Sequence, residues 1–222
     1  MEPHFWHQRW QRDEIGFHQG AYNTQLTRFW ARVGAHPDSR VFVPLCGKTR
    51  DMLWLRNRGH PVLGVEVSPL AVAAFFNENG IAPRIDTIGA FRRYAGDGIT
   101  LYCGDFFALS SADLHDIGAV YDRASLIALP PAMRIDYARH LMGILPADTP
   151  LLLVTLEYPE GEMAGPPFAV HETEVNFLYA DRYRVTLLGR QDLLGGPGQE
   201  GERWRSRGLT HMVEAAYLLR PR

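Results

Sequence analysis

The sequence predicts an α/β fold in which a mostly parallel sheet of seven strands carries helices on both faces. Short apolar segments rich in β-branched residues alternate with segments in which apolar residues recur at helical spacing. Residues 151–156 form a nearly uninterrupted apolar run, which indicates a strand buried on both faces, as in parallel sheets covered by helices. Two further strands, 184–188 and 209–219, end the chain and are predicted to pair in antiparallel orientation.

The first predicted unit is a strand, a helix and a second strand in immediate succession. Residues 41–45 are apolar, residues 50–58 have helical character and end before a glycine, and residues 62–67 are again apolar. A connection this short implies a parallel pair joined by a right-handed crossover. The loop 44–48 is therefore expected at the carboxyl edge of the sheet, where open α/β sheets bind ligands.

Glu66 ends the second strand, 19 residues after Gly47. A carboxylate about 20 residues past a glycine turn is the usual partner of ribose hydroxyls. Gly47-Lys48-Thr49 is not a P-loop, because Phe42 stands where that motif needs its first glycine. A second glycine for pyrophosphate is also missing, which favours a smaller nucleoside cofactor over NAD or FAD. The alternative is an ordinary turn at Gly47 and a solvated strand end at Glu66.

Length and composition exclude several classes of protein. With 222 residues, 46% of them hydrophobic, the chain suffices for one large domain over residues 1–222. A net charge of −2 gives no electrostatic footprint for nucleic acid or an anionic membrane. The amino-terminal residues lack the pattern of a signal peptide and no apolar run approaches membrane length, so a cytoplasmic location is expected.

No metal site is predicted. Cys46 and Cys103 are too few for a disulfide framework or a zinc site, and are expected to be small buried hydrophobic residues in a reduced compartment. The pair His171-Glu172 does not begin a zinc-binding helix, because Val175 occupies the place of the second histidine.

Residues 1–40 are rich in aromatic side chains and are predicted to be helical rather than part of the sheet. Apolar residues at helical spacing predict a helix over 24–33 that packs onto the sheet. Two interpretations of the aromatic cluster remain open at this point, a small satellite core and a lid over a flat cofactor. Its members are Phe5, Trp6, Trp10, Phe17, Tyr22, Phe29 and Trp30.

The segment after the first unit predicts one helix, one loop and one strand. Ser68 is a typical N-cap before Pro69, and the helix that follows is expected to bury Leu70 and Phe76. Residues 81–98 mix glycine, proline and charge, and they predict a loop with a short helix at 90–94.

A third strand is predicted over 99–103, with Asp105 and Phe106 just beyond its carboxyl end. These two side chains suit the amino group and the face of an adenine, and a helix cap is the alternative role of Asp105. A fourth strand ends in Asp122-Arg123, and the next helix is expected to bury Ile135. The remaining predicted elements are that helix (132–145), the strand 151–156, a loop (157–168), a helix (172–179), a strand (184–188), a flexible loop (195–198) and the last strand (209–219).

Several short motifs of the sequence are more specific than the order of its elements. They lie at residues 6–10, 16–19, 43–48, 58–60, 64–66, 101–103, 122–123, 165–168 and 217–219. Together they resemble the thiopurine S-methyltransferase family of the bacterial type, nearly end to end. The resemblance implies a Rossmann-like fold with five parallel strands, a terminal antiparallel pair and a helical amino-terminal cover, and it makes S-adenosylmethionine the expected cofactor.

The resemblance also implies the residues of a site. His18 and Arg123 are candidates to orient the acceptor, and no catalytic residue or metal is assigned with certainty. The implied cofactor-binding residues are Trp10, Leu45, Gly47, Glu66, Asp105, Phe106 and Arg123, and the implied substrate-binding residues are Phe17, His18, Pro167 and Arg203.

The implied reaction is an in-line attack by sulfur on the methyl group of a sulfonium. Thiopurines and related aromatic or heterocyclic thiols are the expected acceptors, with selenium and tellurium species left open, and the product of the cofactor is S-adenosylhomocysteine. A monomer is expected, with no nucleic-acid or membrane partner. The rival interpretation is a protein that binds a nucleoside cofactor without turnover.

Overall fold

The computed structural model describes residues 3–12, 14, 19–195 and 199–222. The strands are β1 Arg40–Val43, β2 Val62–Glu66, β3 Arg84–Ile88, β4 Phe91–Gly96, β5 Ile99–Cys103, β6 Ile117–Arg123, β7 Leu151–Glu157, β8 Tyr183–Asp192 and β9 Val213–Pro221. The helices are α1 Pro3–Gln11, α2 Thr24–Phe29, α3 Asp51–Asn57, α4 Pro69–Glu78, α5 Ser125–Ala128, α6 Pro131–Ile144, α7 Glu172–Tyr179 and α8 Gln199–Ser206.

All nine strands of the described residues belong to one sheet, in the order β3-β4-β5-β2-β1-β6-β7-β9-β8. The five strands from β5 to β7 in this order are parallel, and β9 and β8 continue the sheet in antiparallel pairs, as expected. The chain runs from β1 to β2 on one side and places β6 on the other side of β1. The carboxyl ends of β1, β2 and β6 therefore meet at a switch point, which is the usual ligand site of an open α/β sheet.

The prediction of seven strands is wrong, because residues 84–96 form a hairpin rather than a loop with a short helix. Strands β3 and β4 pair with each other, and β4 adds the hairpin to the sheet beside β5. Strand β3 is the edge strand, so most of its side chains face solvent and are polar. A strand of this kind lacks the apolar alternation by which strands are recognised in a sequence. Asp86 and Arg93 form an ion pair across the hairpin.

The two faces of the sheet carry separate apolar cores, each covered by helices. Ser68 caps α4 as predicted, because its side chain accepts a hydrogen bond from the backbone of Ala71. The predicted buried faces of α4 and α6 are wrong in part, since Leu70 is 49% exposed and Ile135 is 40% exposed. Phe76 is buried as predicted, but apolar residues all round a helix leave its orientation to packing, which on α4 buries Ala71, Val72 and Phe75 rather than Leu70.

The segment before the last strand also differs from the prediction. Strand β9 begins at Val213 rather than Leu209, and α8 precedes it. This helix has the polar sequence QEGERWRS, in which Trp204 is the only large apolar residue. Trp204 is buried in a small third core with Leu156 and Met212, and this contact orients α8. Residues 196–198 of the predicted glycine loop lie outside the described residues.

Cys46 is buried as expected, whereas Cys103 is only half-buried. Within the described ranges, no helix is long and apolar enough to cross a membrane.

Candidate functional site

The loop after β1 bends back sharply at the switch point. Leu45 and Gly47 both have positive φ angles, of 45° and 53°. The Cys46 backbone N–H donates to the Val65 carbonyl of β2, which ties the loop to the neighbouring strand. The positive φ favours glycine at position 47, and α1 lies close to it, since a Cβ atom here would stand 3.4 Å from the indole of Trp10, an ordinary contact distance.

Glu66 faces this loop from the end of β2. Its Oε2 accepts a hydrogen bond from the Gly47 backbone at 2.9 Å, and its Oε1 accepts one from the Ser68 backbone at 2.7 Å. The side chain is only 5% exposed, which rules out the alternative of a solvated strand end. Burial raises the pKa of Glu66, and the two backbone hydrogen bonds oppose that change. An ionised carboxylate has about four lone-pair sites, so both oxygens can accept further hydrogen bonds.

Two cavities open beside this carboxylate, and a third shares its wall with one of them. The central cavity, of about 390 Å³, is lined by Glu66, and so is the narrow cavity, of about 230 Å³. The wide cavity, of about 560 Å³, shares Pro167 and Arg203 with the central one. The central cavity is lined by six of the predicted site residues, Trp10, Leu45, Gly47, Glu66, Pro167 and Arg203. The narrow cavity is lined by Leu45, Glu66, Asp105 and Phe106. The wide cavity is lined by Arg123, Pro167 and Arg203.

The structure thus brings together nine predicted site residues, from seven separate parts of the chain. Phe17 and His18 lie outside the described residues, and their roles stay predictions. In the part of the chain that is described, no group of three or more His, Cys, Asp or Glu side chains is placed to hold a metal ion.

Asp105 and Phe106 follow β5 at the far end of the narrow cavity. Asp105 caps a short 3₁₀ helix, since its Oδ1 accepts a hydrogen bond from the Phe107 backbone at 3.0 Å. Phe106 is 4% exposed, and its ring centroid lies 4.8 Å from that of Tyr137 on α6. The capping role is therefore present, and it holds both residues at the cavity wall.

Asp122 and Arg123 end β6, and the first is buried inside the protein whereas the second lines a cavity. Asp122 is fully buried, and its Oδ2 accepts a hydrogen bond from the Tyr137 hydroxyl at 2.7 Å. Burial raises the pKa of Asp122 to about 6, although this hydrogen bond opposes the change. Arg123 lines the wide cavity. The other possible role of Arg123 is a structural one, in which its guanidinium pairs with Asp122 or Asp105. Among the residues described, it forms an ion pair with neither of them.

The segment that carries Pro167 is fastened at several points. The Pro167 carbonyl accepts a hydrogen bond from the Tyr158 hydroxyl at 2.8 Å, and the Phe168 backbone donates to the Ile127 carbonyl of α5 at 2.7 Å. Arg134, which is 1% exposed, packs over the Phe168 ring and forms an ion pair with Glu174 on α7. These contacts hold the proline segment as a fixed wall between the central and wide cavities.

Sequence reasoning missed two arginines of the central cavity, Arg9 and Arg207. Arg203 and Arg207 pack over the Trp204 ring, with 4.8 and 5.2 Å between each guanidinium carbon and the ring centroid. Burial and the neighbouring Arg203 and Arg9 lower the pKa of Arg207. The spacing of four residues between Arg203 and Arg207 is the signal that could have found the second of them.

The sequence was then compared with known proteins. The family described as thiopurine S-methyltransferase matches residues 1–222. A protein from Nitrosospira multiformis with the name thiopurine S-methyltransferase is 49% identical over 222 residues, which are 100% of this chain and 99% of that protein. A protein of the same name from Pseudomonas paraeruginosa is 51% identical over 221 residues, which are 99% of each chain.

A solved structure shows the same fold at much lower sequence identity. It is a 1,6-didemethyltoxoflavin N1-methyltransferase from Burkholderia thailandensis with bound 1,6-didemethyltoxoflavin and S-adenosylhomocysteine. The TM-score is 0.64 at 14% identity, over 98% of this chain and 87% of that one. The fold is thus that of Rossmann-like methyltransferases, and the family match over the whole length places this chain in the thiopurine S-methyltransferase family, as an S-adenosylmethionine-dependent methyltransferase.

Proposed function

We propose that this enzyme methylates the sulfur of a thiopurine or of a related aromatic or heterocyclic thiol, with S-adenosylmethionine as methyl donor. The single observation that carries the proposal is the continuity of the three cavities. Two of them surround Glu66, and the third is joined to the central one at Pro167 and Arg203. A cofactor and an acceptor can therefore lie side by side. The full-length relatives named thiopurine S-methyltransferase support the nature of the acceptor.

The residues around the central and narrow cavities fit a nucleoside cofactor without phosphates. Glu66 would accept hydrogen bonds from ribose hydroxyls, since each of its oxygens keeps a free lone pair beside its backbone donor. Asp105 and Phe106 would hold the adenine at the end of the narrow cavity. Trp10, Leu45 and Gly47 would contact the remainder, with Arg123 at its acceptor side. When bound, the sulfonium cofactor supplies the methyl group.

The wide cavity would hold the acceptor. Pro167 supplies an apolar edge on its fastened segment, while Arg123 and Arg203 supply positive charge for an anionic sulfur or substituent. The prediction that Phe17 and His18 complete this wall belongs to the same proposal. An arginine pair here lowers the free energy of a thiolate relative to its thiol, so the acceptor is held in its more nucleophilic form.

Orientation is the main contribution that these walls make to the rate. A thiolate and a sulfonium lose their charges as they react, so no large charge has to be stabilised in the transition state. Holding two reacting groups at near-attack distance lowers the barrier by as much as about 7–11 kcal/mol in the best intramolecular models. Trp6 and Trp10 on α1 form one wall of the central cavity, which supports a role of α1 as a cover, whereas Phe29 and Trp30 are buried in the apolar core on one face of the sheet.

Methyl transfer is tested directly with the purified enzyme, S-adenosylmethionine and three acceptors, 6-mercaptopurine, thiophenol and an aromatic selenol. We expect S-adenosylhomocysteine and the S-methylated acceptor in equal amounts, detected by mass spectrometry. Cofactor binding by calorimetry without product from any acceptor would support the rival, a binding protein without turnover. The selenol decides whether the proposal extends to selenium, and light scattering on the same sample tests the proposed monomer.

A further inference from the structure

Three arginines line the central cavity, Arg9 on α1, Arg203 on α8 and Arg207 directly after that helix. Arg203 and Arg207 are exposed, so they stand at the mouth of the cavity. Burial lowers the pKa of Arg207, and the nearby charges of Arg203 and Arg9 lower it further, so the three guanidiniums lie close together. Because an arginine side chain stays protonated in proteins, the mouth carries three positive charges.

No carboxylate of the described ranges is paired with these charges. None of the three arginines forms an ion pair there. Glu14 and Glu66 line the same cavity, but Glu14 pairs with none of the three, and Glu66 accepts the backbone hydrogen bonds of Gly47 and Ser68. Positive charges gathered at one place in a cleft attract an anion. The mouth of the central cavity is therefore a candidate site for an anionic group.

Aromatic rings, rather than carboxylates, hold the three guanidiniums in place. The guanidinium carbon of Arg9 lies 5.0 Å from the centroid of the Phe5 ring. Arg203 and Arg207 pack over the ring of Trp204, which is 5% exposed and fixed in the third core. A guanidinium that packs on a ring keeps the N–H donors of its edge for another partner. The positive groups are thus positioned in advance and remain able to donate to a ligand.

The place of the arginines assigns the anion to the acceptor rather than to the cofactor. Arg203 lines both the central and the wide cavity, and these two cavities meet at Arg203 and Pro167. Within the described ranges, none of the three arginines lines the narrow cavity or the small cavity beside Gly47. Those are the places that we assign to the adenine and to the remainder of the cofactor.

We propose that Arg9, Arg203 and Arg207 bind an anionic substituent of the acceptor, on the part of its ring that is farthest from the reacting sulfur. The sulfur has to meet the methyl group inside the cavity, so the opposite end of the ring reaches the mouth. A carboxylate suits this place, because a guanidinium donates two parallel hydrogen bonds to it. This inference rests on the proposed function, and it assigns aromatic or heterocyclic thiols that carry a carboxylate as the preferred substrate class.

The test compares 4-mercaptobenzoate with 4-mercaptobenzamide, which has a similar shape but no charge on its substituent. The measured quantity is the ratio of the two kcat/KM values in wild type, Arg9→Gln and Arg207→Gln. Because this ratio is compared between proteins, the intrinsic reactivities of the two thiols cancel. We expect each variant to lower the ratio at least about tenfold, the effect of one hydrogen bond between charged groups.

Arg205→Gln is the matched control for both variants. Arg205 is exposed on the same helix as Arg203, and it lines none of the three cavities. The substitution removes the same charge from a place outside the site, where solvent and salt screen it. We therefore expect the ratio in Arg205→Gln to stay within about twofold of the wild-type ratio.

A second measurement needs neither a variant nor turnover. The methylated product 4-(methylthio)benzoate should bind the wild-type complex with S-adenosylhomocysteine at least about tenfold more tightly than 4-(methylthio)benzamide, as measured by calorimetry. Raising the salt from about 0.1 M to about 1 M should reduce this difference, because the screening length falls from about 10 Å to about 3 Å. Equal affinities for the two compounds at low salt would overturn the inference.

Kinetic ratios that are equal in wild type, Arg9→Gln and Arg207→Gln would also overturn it. A loss of S-adenosylmethionine affinity in these variants, with an unchanged ratio, would assign the arginines to the cofactor instead. An enzyme that prefers 4-(methylthio)benzoate but methylates neither thiol would refute the proposed function and, with it, the assignment to an acceptor. An active enzyme without the preference would refute this inference alone.

Discussion

Glu66 serves the protein and the proposed cofactor with the same two oxygens. Each oxygen takes one backbone hydrogen bond, from Gly47 on one side and Ser68 on the other. Burial raises the pKa of Glu66 and these bonds oppose that change, and they also join the loop after β1 to the start of α4. A change at Glu66 is therefore expected to alter both binding and stability.

Glu66→Gln tests this double role. The amide of glutamine has one acceptor oxygen, and its NH₂ group opposes one of the two backbone donors. We expect S-adenosylmethionine to bind more than about tenfold more weakly and the free energy of unfolding to fall by about 1–3 kcal/mol. Isothermal titration calorimetry and urea unfolding measure the two effects, with Glu78→Gln as the exposed control. Wild-type affinity in the folded variant would remove Glu66 from the ribose site.

Arg123 and Arg203 are expected to act differently although both line the wide cavity. Arg123 ends a central strand and also borders a small cavity beside Gly47, whereas Arg203 is exposed on α8. Arg123→Lys keeps the charge but loses the planar fork, so it should lower kcat and weaken cofactor binding. Arg203→Lys should mainly raise the KM of anionic acceptors.

Steady-state kinetics with melting curves separates these expectations, and each variant is the control for the other. If Arg123→Lys melts early but keeps the catalytic constants of wild type when folded, then Arg123 is structural and our assignment is wrong. The absence of an ion pair to Asp122 or Asp105 within the described residues argues against that outcome.

At the scale of elements, α1 is attached to the edge of the site rather than to the apolar cores. It packs against α4, and Nε2 of His7 donates to the Val67 carbonyl at 3.0 Å. Trp6 and Trp10 on the same helix line the central cavity, and none of its residues belongs to a buried core cluster of the described residues. This arrangement favours the lid over the satellite core.

Deletion of residues 1–20 tests the lid. We expect kcat/KM to fall by about a hundredfold or more, because loss of one wall misplaces the reactants. The melting temperature should fall by less than about 5 °C, since the two sheet cores remain whole. Methyl-transfer assays and thermal unfolding monitored by circular dichroism measure the two effects. Unfolding of the shortened chain at the temperature of the assay would restore the satellite-core interpretation.

At the scale of the whole molecule, Asp122 couples overall stability to pH. Its carboxyl group is fully buried at the centre of the sheet, and burial raises its pKa to about 6. The pKa in the unfolded chain is about 4, so the folded protein binds this proton more tightly. The contribution of Asp122 therefore becomes more favourable as the pH falls from about 6 toward 4, and it is least favourable above that range.

Asp122→Asn should remove this dependence. Asparagine keeps an oxygen that accepts the Tyr137 hydroxyl and carries no charge to bury. At pH 8 the variant is expected to be more stable than wild type, by up to about 3 kcal/mol. At pH 4 the advantage should disappear, because the wild-type carboxyl is then protonated. Urea unfolding of both proteins at the two pH values measures the difference, and a variant less stable than wild type at pH 8 would contradict the argument.

Some features of the protein were determined by short stretches of the sequence. Strand β1 was predicted from the apolar run before Gly47, α3 from the helix signals after it, and β2 from the second apolar run. The spacing of 19 residues between Gly47 and Glu66 predicted a nucleoside site. The N-cap of α4 was predicted from Ser68 and the proline that follows it. Propensity, capping and turn chemistry act between near neighbours, so a reader of the sequence can recognise them without knowing the fold.

Other features depend on contacts between distant parts of the chain, and only the tertiary structure decided them. The hairpin of β3 and β4 has a polar sequence, and its pairing with β5 makes it part of the sheet. Trp204 becomes a core residue because Leu156 and Met212 meet it. Asn23 and Glu214 are 191 residues apart, yet they share two hydrogen bonds in the wall of a cavity. Nothing local marks such pairs, since the energy of packing and of buried hydrogen bonds arises only when the chain has brought them together.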